Sequence, residues 1–195
     1  QNVRIFTERD VECSELPELG VRVYGAAFTG STDGPDITNI RTERAEGTWN
    51  ILCAHGEVGF DPVNEQALSA SGLDYAALGH IHKASGLRRS GGTWYSWPGC
   101  PEGRGFDECG EKGILQIDID GETVKAGFIP TAARRYEKLR VEPGADALAA
   151  IRAALPKDTA DDVYKIILTG ESFAAPDLAY LRQALERDFF ALTFS

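Results

Sequence analysis

The sequence predicts an α/β protein, with a mixed sheet first and a small β-α-β-α-β domain after it. Three observations carry that expectation. Two strand-like apolar runs, TWNILCAH (48–55) and DYAALGHIH (74–82), flank a helical pattern over 61–72. Strand patterns with no helix between them follow at 93–99, 113–120 and 123–130. From 136 onward, strand and helix patterns alternate to the end of the chain.

Taken in order, NVRIFT (2–7) and VRVYGAAF (21–28) alternate β-branched and aromatic residues and read as strands. A short connection at 15–20, carrying Pro17, joins them. The turn cluster GSTDGPD (30–36) lets Pro35 and Asp36 open a short helix through Arg44. TWNILCAH is expected to be a buried strand, with Cys53 a small core residue. The next helix opens near Pro62 and closes at Gly72. TWYSWPG (93–99), GILQIDID (113–120) and TVKAGFIP (123–130) are strands, and Asp120-Gly121 is a hairpin turn signal. This meander is expected to complete the edge of the mixed sheet.

A boundary is expected near 130–136, which divides the chain into domains 1–133 and 134–195. The second reads as strand YEKLRVEP (136–143), helix 145–155, strand 163–171, helix 176–189 and a final ALTF (191–194), ending at or near its last strand. The Leu, Ala and Phe stripes of these helices are core positions.

The chain has 195 residues, 43% hydrophobic and 26% charged, which suits a soluble globular protein with ample core. No apolar run approaches the roughly 20 residues of a membrane span, and no signal-peptide pattern opens it. Gln1 at the start and the lack of methionine suggest a piece of a longer protein. Four cysteines (Cys13, Cys53, Cys100, Cys109) show no CxxC pairing, so free thiols and a cytoplasmic address are expected. Cys100 and Cys109, flanking a glycine-rich loop, have the chemistry to join a metal site or a disulfide. A net charge of −10 argues against general affinity for DNA but leaves room for a local basic groove.

The chemistry concentrates in residues 50–84, which hold all three histidines, His55, His80 and His82. Each ends an apolar, strand-like run, and Gly56 and Gly79 stand beside them to let the backbone turn. Neutral imidazoles at one sheet edge suit zinc, manganese or iron. A lone histidine after a strand is more often a satisfied structural residue, so it is the set of three that points to a metal.

With HGEVG (55–59), GHIH (79–82) preceded by DYAAL, and WPGCPEGRGFDECGEKG (97–113) in view, the chain resembles the calcineurin-like metallophosphoesterases. More closely it looks like their SbcD-type DNA repair exonucleases. The resemblance implies the second half of a metallophosphoesterase α/β sandwich followed by a β-α-β-α-β capping domain. It implies a two-metal centre, filled by two divalent ions of the manganese type, that hydrolyses phosphodiester bonds, with His55, His80 and His82 as metal ligands. It implies DNA and an SbcC-type ATPase subunit as partners.

The family's Asp-x-His, Gly-Asp-x-x-Asp and Gly-Asn-His-Asp/Glu motifs do not occur in the sequence. With them are absent the bridging aspartate and the histidine that protonates the leaving group. Three neutral imidazoles supply no charge compensation for two close cations. The chain alone is therefore expected to be inactive, and to associate with itself or with a polypeptide that carries the other half. Glu57, Asp61 and Asp74 fall outside the matched motifs and read as solvated or structural, and Phe60 and Asp61 as residues that shape the mouth of the site.

Arg104 and Lys112 are the candidates for phosphate or DNA contact, against the alternative of pairing with Glu102, Asp107 or Glu111. Trp94, Tyr95 and Trp97 offer faces for base stacking but more commonly pack. Arg134-Arg135, at the inferred junction, either braces the domains or touches a backbone phosphate. Two further functions remain in play: a phosphoesterase acting on nucleotides or phosphoproteins, and a non-catalytic binding module with an incomplete metal site.

Overall fold

The computed structural model describes residues 3–30, 37, 39–58, 62–121, 123–170 and 176–195, with backbone alone at Glu57, Val58 and Pro62. The architecture is mixed α/β. The chain divides into two compact units, Gln1–Cys100 with Ile114–Ile129, and Pro101–Gly113 with Pro130–Ser195. Residues 101–113, which the expected boundary at 133 placed in the first domain, thus pack with the second unit. There the Gly110 N–H donates to the Tyr136 carbonyl at 3.0 Å, and the Lys112 carbonyl accepts from Thr131 and Ala132.

The first unit begins with β1 (Glu12–Leu16), β2 (Val21–Gly25) and β3 (Trp49–His55). The two-residue strands β4 (Glu57–Val58) and β5 (Pro62–Val63) pair with each other, and α1 (Glu65–Ala70) follows. Next come β6 (Tyr75–Gly79), β7 (Arg88–Ser90) and β8 (Thr93–Ser96). The main sheet has six strands in the order β1-β2-β3-β6-β8-β7. Its four inner strands run parallel and both edge strands antiparallel, so it is a mixed sheet. Leu52, Ala54, Ala76, Leu78 and Tyr95 point from its strands into one core, where Val63, Leu68, Leu73 and Trp97 meet them.

Four expectations are corrected here. Residues 3–8 form no strand. Instead the Glu12 carboxylate accepts the backbone N–H groups of Thr7 and Glu8 and a guanidinium bond from Arg4. Phe6 lies over Gly25, where a Cβ would clash with its ring, so this segment crosses the sheet instead of joining it. The antiparallel partner of β2 is β1, in a stretch partly read as a connection. Of the helix expected from Pro35, residues 37 and 39–44 are described and are not helical. Arg44 there donates to the carbonyls of Gly72, Leu73 and Gly92, which ties an extended segment down.

The helix expected from Pro62 begins only at Glu65, because Asn64 caps it by accepting the Ala67 N–H at 2.6 Å. Finally, β9 (Gly113–Asp120) and β10 (Thr123–Pro130) make their own two-stranded sheet and do not complete the main one.

Burial along β3 alternates. Asn50, Leu52 and Ala54 are buried; Trp49 and Ile51 are half-buried, and Cys53 and His55 are exposed. Cys53 is therefore not a core residue: it projects from the face opposite the core.

The second unit contains β11 (Tyr136–Val141), α2 (Ala147–Ala154), β12 (Val163–Leu168), α3 (Leu178–Leu185) and β13 (Ala191–Phe194). Its three strands are parallel in the order β11-β12-β13. Asp146 and Asp177 cap the helices, accepting the N–H of Ala149 and those of Ala179 and Tyr180. Ile151, Leu181, Leu185 and Phe189 close over Val141, Tyr164 and Ile166 as the core. Among the described residues no helix is long and apolar enough to cross a membrane.

Candidate metal centre

Strands β3 and β6 are adjacent and parallel, in a register that sets His55 opposite Gly79. Both therefore end at the same edge of the sheet, and His80 is the next residue along. His80 has φ of 99°, the only positive value at a non-glycine among the described residues. Backbone held in that region is costly and is often found at functional sites. The turn brings His80 Nδ1 to 3.3 Å from His55 Nε2, with the two rings edge-to-face, 5.2 Å between centroids.

Gly79 makes room for this pair. A Cβ at Gly79 would stand 3.0 Å from His55 Nδ1, so any side chain there would press on the imidazole. On its other side His55 meets the Phe28 ring at 5.7 Å, also edge-on. The backbone below is fixed: Gly56 N–H donates to the Gly79 carbonyl at 3.3 Å, and its carbonyl accepts the Trp97 indole N–H at 2.9 Å. Both imidazoles are exposed, so an ion has access to them.

The 3.3 Å separation suits two roles. One imidazole can donate a hydrogen bond to the other, according to tautomer. Two nitrogens on one tetrahedral ion, each about 2.0–2.1 Å from it, also lie roughly 3.3 Å apart. The separation of the pair thus matches that of two ligands on a single divalent ion.

His82 does not close with them. Its ring nitrogens do not come with those of His55 and His80 into a set within 4.8 Å of one another. A Cys100 thiol within 4.8 Å of a His82 ring nitrogen is the neighbour instead, and that thiol donates to the His82 carbonyl at 3.5 Å. The loop carrying His82 is fastened to the segment after β8. Ser85 N–H donates to the Trp97 carbonyl at 3.1 Å, and Trp97 N–H to Ser85 Oγ at 3.0 Å. Gly99, with φ of 83°, lets the chain approach to where a Cβ would be 2.9 Å from the Ala84 nitrogen.

The remaining candidates divide. Asp74 is structural: its carboxylate accepts the Asn50 N–H at 2.8 Å and lies 3.4 Å from Arg44. Gly59, Phe60 and Asp61 lie outside the described residues, as does the side chain of Glu57. Tyr95 and Trp97 are core residues, 3% and 1% exposed, and so are closed to base stacking. Trp94 is half-buried, with the Arg89 guanidinium 5.1 Å from its ring centroid. Arg104 and Lys112 belong to the second unit, Arg104 exposed and Lys112 buried. Arg135 is committed to an ion pair with Asp162, its Nε and Nη2 both donating to Oδ2. The chain matches no protein-family model and no curated protein.

Proposed function

We propose that this chain supplies the imidazole share of a divalent-metal phosphodiesterase centre, in a protein that cuts the DNA backbone as a repair exonuclease. The observation that supports the reading is the His55–His80 pair, 3.3 Å apart at the ends of adjacent parallel strands. In this reading the centre takes two divalent ions, manganese by preference, which would activate water and stabilise charge growing on phosphorus. His55 and His80 hold one ion. His82, with Cys100 beside it, is a further ligand position. Carboxylates from outside the chain complete the centre, which makes a polypeptide bearing the family's carboxylate motifs its natural partner. Exposed Arg104 contacts a DNA phosphate. An SbcC-type ATPase subunit and a cytoplasmic setting belong to the same reading.

The test is metal content by elemental analysis after dialysis against manganese and zinc, with His55→Ala and His80→Ala as controls. The expected result is about one ion per chain, lost in both variants. An ion held equally by the variants, or none in the wild type, overturns the reading. Cleavage of labelled duplex DNA only when a polypeptide bearing the family's carboxylate motifs is added supports the enzyme. Association with that polypeptide without cleavage favours the non-catalytic module, which the exposed histidine pair also suits.

A further inference from the structure

We propose that the first unit carries a separate site for a nucleoside monophosphate whose base offers N–H donors along one edge, guanosine monophosphate above all. A cavity of about 580 Å³ opens at the leading ends of β3, β6 and β8, where Trp49, Asp74 and Gly92 line it. His55 stands at the far end of the same seven-residue β3, roughly 20 Å away. The volume lies within the range of about 300–1,000 Å³ typical of sites for whole organic ligands.

Two of the chain's three tryptophans line this cavity, Trp49 and Trp94. Alternation along β3 and β8 sends Leu52 and Tyr95 into the core and so turns both indoles to the opposite face of the sheet. Their strands stand on either side of β6, roughly 10 Å apart. A flat ring laid between the indoles therefore meets each within aromatic contact distance, about 4.5–7 Å between centroids. Both are half-buried, which leaves part of each ring open to a ligand. The wall beside them is fixed. Arg44 donates to the carbonyls of Gly72, Leu73 and Gly92 and lies 3.4 Å from the Asp74 carboxylate, so these two charges are spent on each other and on the backbone. The Trp94 N–H donates to the Asp74 carbonyl at 3.1 Å.

Arg89 and Glu46 are the charges left over on the lining. Both are exposed, and among the described residues neither forms a hydrogen bond or an ion pair. The Arg89 guanidinium stands 5.1 Å from the Trp94 ring centroid, beside the ring on which a base would stack. Its fork of N–H donors matches two oxygens of a phosphate. The Glu46 carboxylate only accepts hydrogen bonds, so it disfavours a wholly anionic ligand and calls for N–H donors. Guanine presents a ring N–H and an amino group side by side, whereas adenine presents the amino group alone. A ring for the indoles, an N–H edge for Glu46 and a phosphate for Arg89 are together the parts of guanosine monophosphate. The site does not depend on the histidine pair, and its test leaves that reading untouched.

The probe is guanosine monophosphate, titrated into the full chain while tryptophan emission is followed. Trp97 is 1% exposed in the core, so quenching reports on the cavity. Saturable one-to-one binding with quenching is expected. Removing the phosphate, as in guanosine, or making Arg89→Gln each weakens binding about tenfold, and guanosine binds Arg89→Gln and the wild type alike. Adenosine monophosphate binds more weakly than guanosine monophosphate, and Glu46→Gln narrows that difference. Both substituted side chains are exposed, and circular dichroism checks that each variant keeps its fold. No saturable binding, affinity unchanged in Arg89→Gln, or inorganic phosphate or the free amino acid tryptophan binding as tightly as the nucleotide overturns the proposal.

Discussion

Replacing Asp162 by alanine is expected to cost about 2–4 kcal/mol of stability. The carboxylate is nearly dry, with 6% of its side chain exposed against 42% for Arg135. Oδ1 accepts the Arg135 backbone N–H at 2.7 Å, and Oδ2 accepts Nε at 3.0 Å and Nη2 at 2.7 Å. The backbone bond, just ahead of β11, contributes about 1–1.5 kcal/mol, since its donor loses its partner. The two charge-assisted bonds would be stronger in a dry site. A half-exposed guanidinium regains water, so together they contribute roughly 1–2.5 kcal/mol.

In a unit of this size, about 3 kcal/mol lowers Tm by roughly 12–24 °C. Urea and thermal unfolding of the wild type, Asp162→Ala, Arg135→Ala and the double variant measure both the loss and the coupling between the two residues. A coupling energy of about 1–2 kcal/mol is expected. Asp162→Ala within about 0.5 kcal/mol of the wild type, or a coupling near zero, would refute the assignment of this pair as a fastener.

Two other outcomes follow from particular contacts. Gly79→Ala keeps both imidazoles but sets a methyl 3.0 Å from His55 Nδ1. Displacing the ring by a few tenths of an ångström exceeds the tolerance of about 0.2 Å in a metal–ligand bond. Zinc affinity should fall roughly tenfold with the fold unchanged, as titration against a chromophoric chelator would show. Burial raises the Glu137 carboxyl above its ordinary value of 4.5; Arg135 opposes this and Asp162 adds to it. A raised carboxyl favours the folded state below the unfolded value, and the advantage is lost as pH rises through the folded value. Glu137→Gln should therefore be more stable than the wild type near pH 7 and lose that lead below about pH 4, read from urea midpoints across pH.

The parts legible in the sequence are those whose pattern and packing agree. TWNILCAH, DYAALGHIH and the strands of the second unit form where their apolar residues repeat, and Asp146 and Asp177 cap helices whose stripes face one core. NVRIFT has equally good alternation, but a strand also needs a partner edge. The Glu12 carboxylate instead gathers this segment's amides, leaving Val3 and Ile5 72% and 71% exposed. The continuous apolar run in β3 suggested burial on both faces, whereas only the face holding Leu52 and Ala54 meets a core.

At the site, the meeting of His55 with His80 depends on the β3–β6 register and on the positive φ at His80, neither of which is written in residue spacing. Arg134 was visible only as half of a dibasic pair. Its stacking on Phe190 arises only from packing within the second unit.

Cys53 gives the open side of the sheet a built-in reporter. It sits on β3, between β2 and β6, with its sulfur exposed. A thiol in mid-sheet is ordinarily shut away from reagents; this one is open to alkylation. Any chain that settles over that face must slow the reaction, whatever its chemistry. The protein therefore carries its own footprinting label for whatever covers that face of the sheet.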